Sequence, residues 1–128
     1  MRYTANRVNI INGIYTVLKN IYSNVYFERV PQGTQLPYAV FNIGLISQLE
    51  GGKSRILLEI DVFDNKGSNI TYLENATNDL IEGMYKQVCE FDNFTLRFMD
   101  ITTNSIPDPD NNIRRRNISI NVMYYNKE

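Results

Sequence analysis

Histidine and tryptophan are both absent from this chain of 128 residues, and cysteine occurs once, as Cys89. Histidine is the commonest general base and the commonest metal ligand, so its absence excludes serine–histidine and cysteine–histidine catalysis and most zinc sites. One cysteine cannot form an intramolecular disulfide, which fits a reducing compartment. The sequence therefore favours a protein without catalytic residues, and we expect no cofactor and no metal.

Long apolar runs and an excess of either charge are also missing. No run approaches the roughly 20 residues that a membrane helix needs, and residues 1–7 lead into a periodic helix, not an apolar signal block. The net charge of −1 gives no general attraction to nucleic acid or to an acidic membrane. We expect a cytosolic product without a cleaved leader, which binds neither a membrane nor a specific nucleic-acid sequence.

Apolar periodicity predicts two amphipathic helices and several strands. The first helix should cover Thr4–Tyr22, with Gly13 marking a close approach to a neighbour. The second should begin at an N-cap, Ser68, and carry an apolar stripe from Ile70 to Val88, with Cys89 near its end as a core or boundary residue. The predicted strands are Val25–Val30, a central Tyr38–Ile46, Ser54–Asp64, Phe94–Ile101 and Ile113–Tyr125, with a hairpin at Ser47–Lys53 and a loop at Thr102–Asn112.

The order α-β-β-β-α-β-β predicts a single α+β domain over residues 1–128. Short connections favour a mainly antiparallel sheet, and two helices on one face would make a two-layer sandwich. The helix stripes and the apolar strand faces should form the core, with these members: Val8, Ile11, Leu18, Leu73, Leu80, Ile81, Met84, Ile56, Leu58, Ile60, Ile118, Ile120 and Val122.

Glu59 and Asp61 are the strongest candidates for chemistry, because they lie two apart on one strand face. Paired carboxylates can transfer protons or hold a divalent cation, but no third ligand or nucleophile accompanies them. We interpret them as part of a solvated strand face. The acidic segment Asp108–Asn112 lacks the glycine and the closing glutamate of an EF-hand loop, so we interpret it as a flexible loop.

The chain has one basic run, Arg114–Arg116. Successive side chains alternate faces on a strand, so the three arginines should not form one patch. We expect them to make local or intersubunit ion pairs. With Glu50, Asp108 and Asp110 they form our predicted interface with another subunit or a partner.

Four segments resemble the phage tail terminator (tail-completion) family. They are the helix Ile10–Leu18 (IINGIYTVL), the turn Val30–Tyr38 (VPQGTQLPY), the strand Leu57–Phe63 (LLEIDVF) and the closing strand Arg115–Tyr124 (RRNISINVMY). The resemblance implies a structural virion protein that forms a ring, typically a hexamer, and caps the finished tail tube. It also implies that the ring joins the capsid at the head-proximal end, after assembly in the host bacterial cytoplasm.

The implied partners are further copies of the chain, the tail tube protein, a head–tail connector or neck protein, and the sheath if the tail is contractile. Infectious phage and phage-tail-like bacteriocins remain equally open as the source. Two other classes also remain: a ferredoxin-like module that binds a small ligand or RNA, and a small hydrolase or isomerase that uses Glu59 and Asp61.

Overall fold

The computed structural model describes residues 5–67, 69–110 and 112–127. Over these residues the chain forms two helices and six strands: α1 (Arg7–Ile21), β1 (Val25–Phe27), β2 (Tyr38–Leu49), β3 (Lys53–Asp64), α2 (Thr71–Met84), β4 (Val88–Glu90), β5 (Phe94–Ile106) and β6 (Arg114–Asn126). The predicted order is confirmed, with the short strand β4 added between α2 and β5.

Helix α1 begins after Asn6, whose side chain accepts a hydrogen bond from the backbone N–H of Asn9 at 3.1 Å. The predicted start at Thr4 lies outside the described residues. The prediction for Gly13 is confirmed, because a Cβ there would lie 3.0 Å from the side chains of both Phe94 and Leu96. Gly13 therefore lets α1 lie close against β5.

Helix α2 begins at Thr71 and ends at Met84. Ile70 precedes it without a side-chain cap, and the side chain of Asn69 accepts a hydrogen bond from the Thr71 N–H at 3.1 Å. The predicted cap, Ser68, lies outside the described residues. The stripe does not reach Val88, because a turn over Tyr85 (φ −57°, ψ 117°) and Lys86 (φ 55°) ends the helical path after Met84. Val88 is consequently exposed, and Cys89 lies in β4 as a boundary residue.

The strands form one curled, mixed sheet in the order β1-β2-β3-β6-β5-β4. β1 runs parallel to β2, while the other neighbours among the described strands are antiparallel. The expected antiparallel two-layer sandwich is thus confirmed only in part. β3 and β6 occupy the centre, so the prediction that the Tyr38–Ile46 strand is central was wrong. That strand lies one place from the edge, and its Leu45 is 61% exposed.

Two strands run further than their sequences predicted. β5 continues to Ile106, because Thr102–Ile106 pair with Arg115–Ser119 of β6. The predicted loop Thr102–Asn112 therefore begins only after Ile106, and its residue 111 lies outside the described residues. β2 continues to Leu49, which leaves a tight turn at residues 50–52 where Gly51 and Gly52 adopt positive φ angles. In β5 the exposed polar side chains of Thr102–Ser105 obscured the strand pattern, and in β2 the half-buried Ser47 and Gln48 interrupted the apolar run.

The core lies between the two helices and one face of the sheet. The predicted strand members and Leu18, Leu73, Leu80 and Met84 are fully buried. Ile11 and Ile81 are partly buried at its margin. The prediction for Val8 was wrong, because Val8 is 65% exposed; the buried stripe of α1 passes through Ile10 and Ile14 instead.

We expect Leu80→Ala to lower the free energy of unfolding by about 2–5 kcal/mol, because it removes a fully buried side chain and leaves a cavity. Val8→Ala is the matched control and should cost less than about 0.5 kcal/mol at its exposed position. Urea unfolding followed by circular dichroism measures both. Equal losses in the two variants would contradict the assignment of the core.

Candidate assembly surface

The face of the sheet away from the helices carries a connected set of polar side chains. The register of β3 and β6 places Glu59 opposite Ser119 and Asp61 opposite Asn117. The Asn117 amide donates to Glu59 at 3.0 Å and to Asp61 at 2.9 Å, and the Ser119 hydroxyl donates to Glu59 at 2.8 Å. We call these four residues and Arg115 the polar cluster.

Arg115 completes the polar cluster. Its guanidinium lies 3.0 Å from the Asp61 carboxylate, and its Nε also donates to that carboxylate at 3.1 Å. The guanidinium carbon lies 5.5 Å from the centre of the Phe63 ring, within the range of a cation–π contact. The Arg115 side chain is therefore fixed by contacts within its own chain.

The expectation of a solvated strand face was wrong at the polar cluster. Asp61 is only 8% exposed and Asn117 only 7%. The side chains on adjacent strands of the curled sheet crowd them and replace water with hydrogen bonds. Both carboxylates are occupied by amide, hydroxyl or guanidinium donors, so the cluster is suited to holding a surface rigid and not to transferring protons.

The other two arginines leave the sheet on the opposite face, as the predicted alternation requires. Arg116 forms an ion pair with Glu74 of α2 and also donates to the carbonyl of Arg115. The Nε of Arg114 donates to the carbonyl of Gly67 at 2.8 Å. The expected local ion pairs therefore exist for Arg115 and Arg116, but their partners are Asp61 and Glu74 and not the predicted Glu50, Asp108 or Asp110.

The structure brings five of the six predicted interface residues together. Asp108 and Asp110 line a cavity of about 430 Å³ with Arg114, Arg115 and Arg116. The two aspartates also shape their own loop: Asp108 accepts the N–H of Asp110, and Asp110 accepts the N–H of Asn112, each at 2.9 Å. Glu50 lies apart, in the turn at the opposite end of β3.

Asp64 is a buried polar residue that the sequence analysis missed. It is fully buried at the end of β3, its Oδ1 accepts the N–H of Lys66, and its Oδ2 has no hydrogen-bond partner among the described residues. Near it, the Tyr22 and Tyr72 hydroxyls lie 3.1 Å apart. Burial, this hydrogen bond and the Asp64 charge raise the pKa of Tyr22 above its ordinary value. Asp64 lies two residues after the core residue Val62 on β3, and this inward position was the sequence signal for its burial.

Other kinds of site find little support in the described part of the chain. Burial raises the pKa of the Cys89 thiol, which disfavours the reactive thiolate. No group of three or more Cys, Asp or Glu residues in that part could hold a metal ion. No helix there is long and apolar enough to cross a membrane.

No family model and no curated protein matches the chain. Among solved structures, a chain from the virion of a native gene transfer agent particle is similar, with a TM-score of 0.57. The match covers 88% of this chain and 92% of that chain, at 11% sequence identity. The two chains therefore share a fold over nearly their whole lengths.

We expect Asp61→Asn to lower the free energy of unfolding by about 1–3 kcal/mol, because it leaves the half-buried Arg115 guanidinium without its charged partner. Asp79→Asn makes the same change at an exposed position of α2 and should stay within about 0.5 kcal/mol of the parent protein. Chemical unfolding of both variants compares them directly. An unaffected Asp61→Asn variant would show that the polar cluster adds no stability.

We also expect calcium, magnesium and manganese not to bind stoichiometrically at Glu59 and Asp61, because protein donors already occupy these carboxylates. Isothermal titration with each cation tests this. A site that binds one equivalent and is lost in the Glu59→Gln, Asp61→Asn double variant would contradict our assignment.

Proposed function

We propose that this protein is a structural component of a phage-like virion or phage-tail-like particle, where it caps the tail tube as a terminator. The observation that carries the proposal is the fold shared with a gene transfer agent virion chain over 88% of this chain and 92% of that one. The four segments that resemble the tail terminator family support the narrower role. The occupied carboxylates on the open sheet face agree with a protein that assembles and does not catalyse.

The proposed assembly is a closed ring, with six copies as the expected number. It would sit at the head-proximal end of the tail, contact the tube protein on one side and a connector or neck protein on the other, and meet a sheath in a contractile tail. A ring closed by rotation needs two different surfaces on each copy. The cavity formed by the acidic loop and the arginines, and the turn that carries Glu50, lie at opposite ends of β3 and can supply separate contacts.

The contacts within the chain change which charges can face a neighbour. Arg115 and Arg116 already pair with Asp61 and Glu74, so reversing their charges would disturb the monomer as well as any assembly. Glu50, Asp110 and Arg114 are exposed and are better placed to set the register between copies.

The two alternative classes lose support. A ferredoxin-like module has the order β-α-β-β-α-β, whereas α1 here precedes three consecutive strands. The centre of the open face carries acidic, amide and hydroxyl groups around the paired Arg115. The exposed Arg55 and Arg97 lie on either side of Met123 on this face, but the carboxylates at its centre disfavour the phosphate backbone of RNA. A hydrolase or isomerase that uses Glu59 and Asp61 would need a carboxylate free to exchange protons. Both carboxylates instead accept hydrogen bonds from side chains of β6.

Deleting the gene in a strain that makes the particle should give tails of uncontrolled length or tails without heads.

Glu50→Lys should weaken ring formation without lowering the free energy of unfolding, because Glu50 lies exposed in a turn. Glu82→Lys, an exposed reversal on α2, is the control and should leave assembly unchanged. Electron microscopy of particles and native mass spectrometry provide the measurements. Normal particles from the deletion strain would overturn the proposed function.

A further inference from the structure

Each end of the sheet has a short strand that covers only part of its longer neighbour. β4 pairs with β5 over Thr95–Arg97, although β5 continues to Ile106. β1 pairs with β2 over Ala39–Phe41, although β2 continues to Leu49. No strand of the described residues pairs with the remaining outer edges. We call residues 101–106 the β5 edge and residues 43–47 the β2 edge.

Backbone directions show that the β5 edge has hydrogen-bonding groups to offer. The N–H of Phe98 donates to Gln87 on the side away from β6, at 2.8 Å, while the Phe98 side chain faces the core. After the register shift between Phe98 and Ile101, Ile101 occupies the equivalent position opposite Ile120. Since backbone groups alternate sides with the side chains, Ile101, Thr103 and Ser105 direct their N–H and C=O groups away from β6.

The β2 edge is arranged in the same way. The carbonyl of Phe41 accepts the N–H of Glu28 on the side away from β3, at 2.9 Å. A register shift follows between Ile43 and Leu45, after which Ile46 lies opposite Ile56 and faces the core side. Ile43 and Ile46 therefore direct their backbone groups outward from β3.

Both edges lack the charged residues and prolines that commonly keep edge strands from pairing. The β5 edge reads Ile-Thr-Thr-Asn-Ser-Ile and the β2 edge reads Ile-Gly-Leu-Ile-Ser, with neither a charged residue nor a proline in either. Natural proteins usually protect an exposed edge with lysine, proline or an inward charge. An edge without charged residues or proline offers its free backbone groups to a strand of another chain.

We propose that the β5 edge of one copy pairs with the β2 edge of the next copy, so that the sheet continues from subunit to subunit. This inference deepens the proposed function and rests on it. β2, β3, β6 and β5 alternate in direction, so β5 runs opposite to β2, and lateral continuation makes the new pair antiparallel. Because each copy carries one edge of each kind, the contact is head-to-tail and can close into a ring.

The covered parts of the two strands dictate a stagger between neighbours. β4 covers the beginning of β5 and β1 covers the beginning of β2, so the open stretches lie at opposite ends of the sheet. They can meet only if the next copy is displaced along the strand direction. Closing a sheet on itself requires such a stagger and tilt of the strands.

Space for apolar side chains lies beside the β5 edge. A cavity of about 790 Å³ there is lined by Tyr85 at the end of α2, Val88 of β4 and Phe98, Met99 and Ile101 of β5, and also by the charged residues Lys86, Arg97 and Asp100. The core-side residues of an added β2 edge are Ile43 and Ile46, both only partly buried within one chain. Seating them beside Ile101 would extend the core across the contact.

Disulfide cross-linking tests the pairing in a Cys89→Ser background. Ser47→Cys lies on the open face of the β2 edge, and Thr102→Cys or Asn104→Cys lies on the open face of the β5 edge. Mixing a β2-edge variant with a β5-edge variant should give disulfide dimers, and each alone should give none. A chain carrying both substitutions should give a ladder of linked species. Self-linking of a single variant, or no linking in assembled protein, would overturn the proposal.

A backbone substitution provides the second measurement. Thr103→Pro removes an N–H that faces outward, a position where an edge strand tolerates proline, and should weaken self-association at least tenfold. Thr103→Val keeps the N–H and should assemble like the parent protein. Native mass spectrometry reads the assembly, and unfolding curves check the monomer. Undiminished assembly of a folded Thr103→Pro variant would contradict the pairing.

The outcomes separate this proposal from the proposed function. A ring of six that forms without these cross-links overturns the pairing and leaves the terminator role standing. Cross-linked ladders from a protein that is absent from purified particles support the pairing and overturn the terminator role.

Discussion

The pairing of β3 with β6 is the constraint on which the rest of the structure depends. It aligns Lys53–Asp64 with Arg114–Tyr125 at the centre of the sheet. In this register Ile56, Leu58 and Ile60 meet apolar partners on the helix side, while Glu59 and Asp61 meet Ser119 and Asn117 on the other. A slip of one residue would turn carboxylates into the core and isoleucines outward. The apolar rows and the polar cluster therefore specify the same register from opposite faces.

The polar cluster has a cost that its hydrogen bonds must offset. Removing Asp61 and Arg115 from water is unfavourable, and their attraction compensates only when the remaining donors and acceptors are satisfied. Asn117 and Phe63 complete that environment for Asp61 and Arg115 respectively. Such a cluster adds modest stability but discriminates strongly against other pairings of the two strands. The cluster also explains why Arg115, which the sequence suggests as an interface residue, already forms an ion pair within the chain.

Local sequence patterns predicted which helices and strands form better than they predicted where the strands end or which strands pair. The helices, the order of the longer strands and nearly all of the core follow from period-3.6 and period-2 apolar spacing, which depends on nearby residues. The extension of β5 to Ile106 could not be predicted in this way, because Thr102–Ser105 are polar and form a strand by pairing with β6. The parallel pairing of β1 was equally hidden. At the candidate surface the alternation of Arg114–Arg116 was predictable, but Asp61 and Glu74 as their partners required tertiary contacts.

The same architecture concentrates the remaining binding capacity at the edges of the sheet. Two helices cover one face of the sheet, and the polar cluster satisfies the centre of the other with hydrogen bonds made within the chain. β2 and β5 extend beyond the short strands β1 and β4 that pair with them, and their uncovered stretches direct backbone groups outward. Backbone pairing depends little on side-chain identity, so an assembly built on it can keep its geometry while sequences diverge.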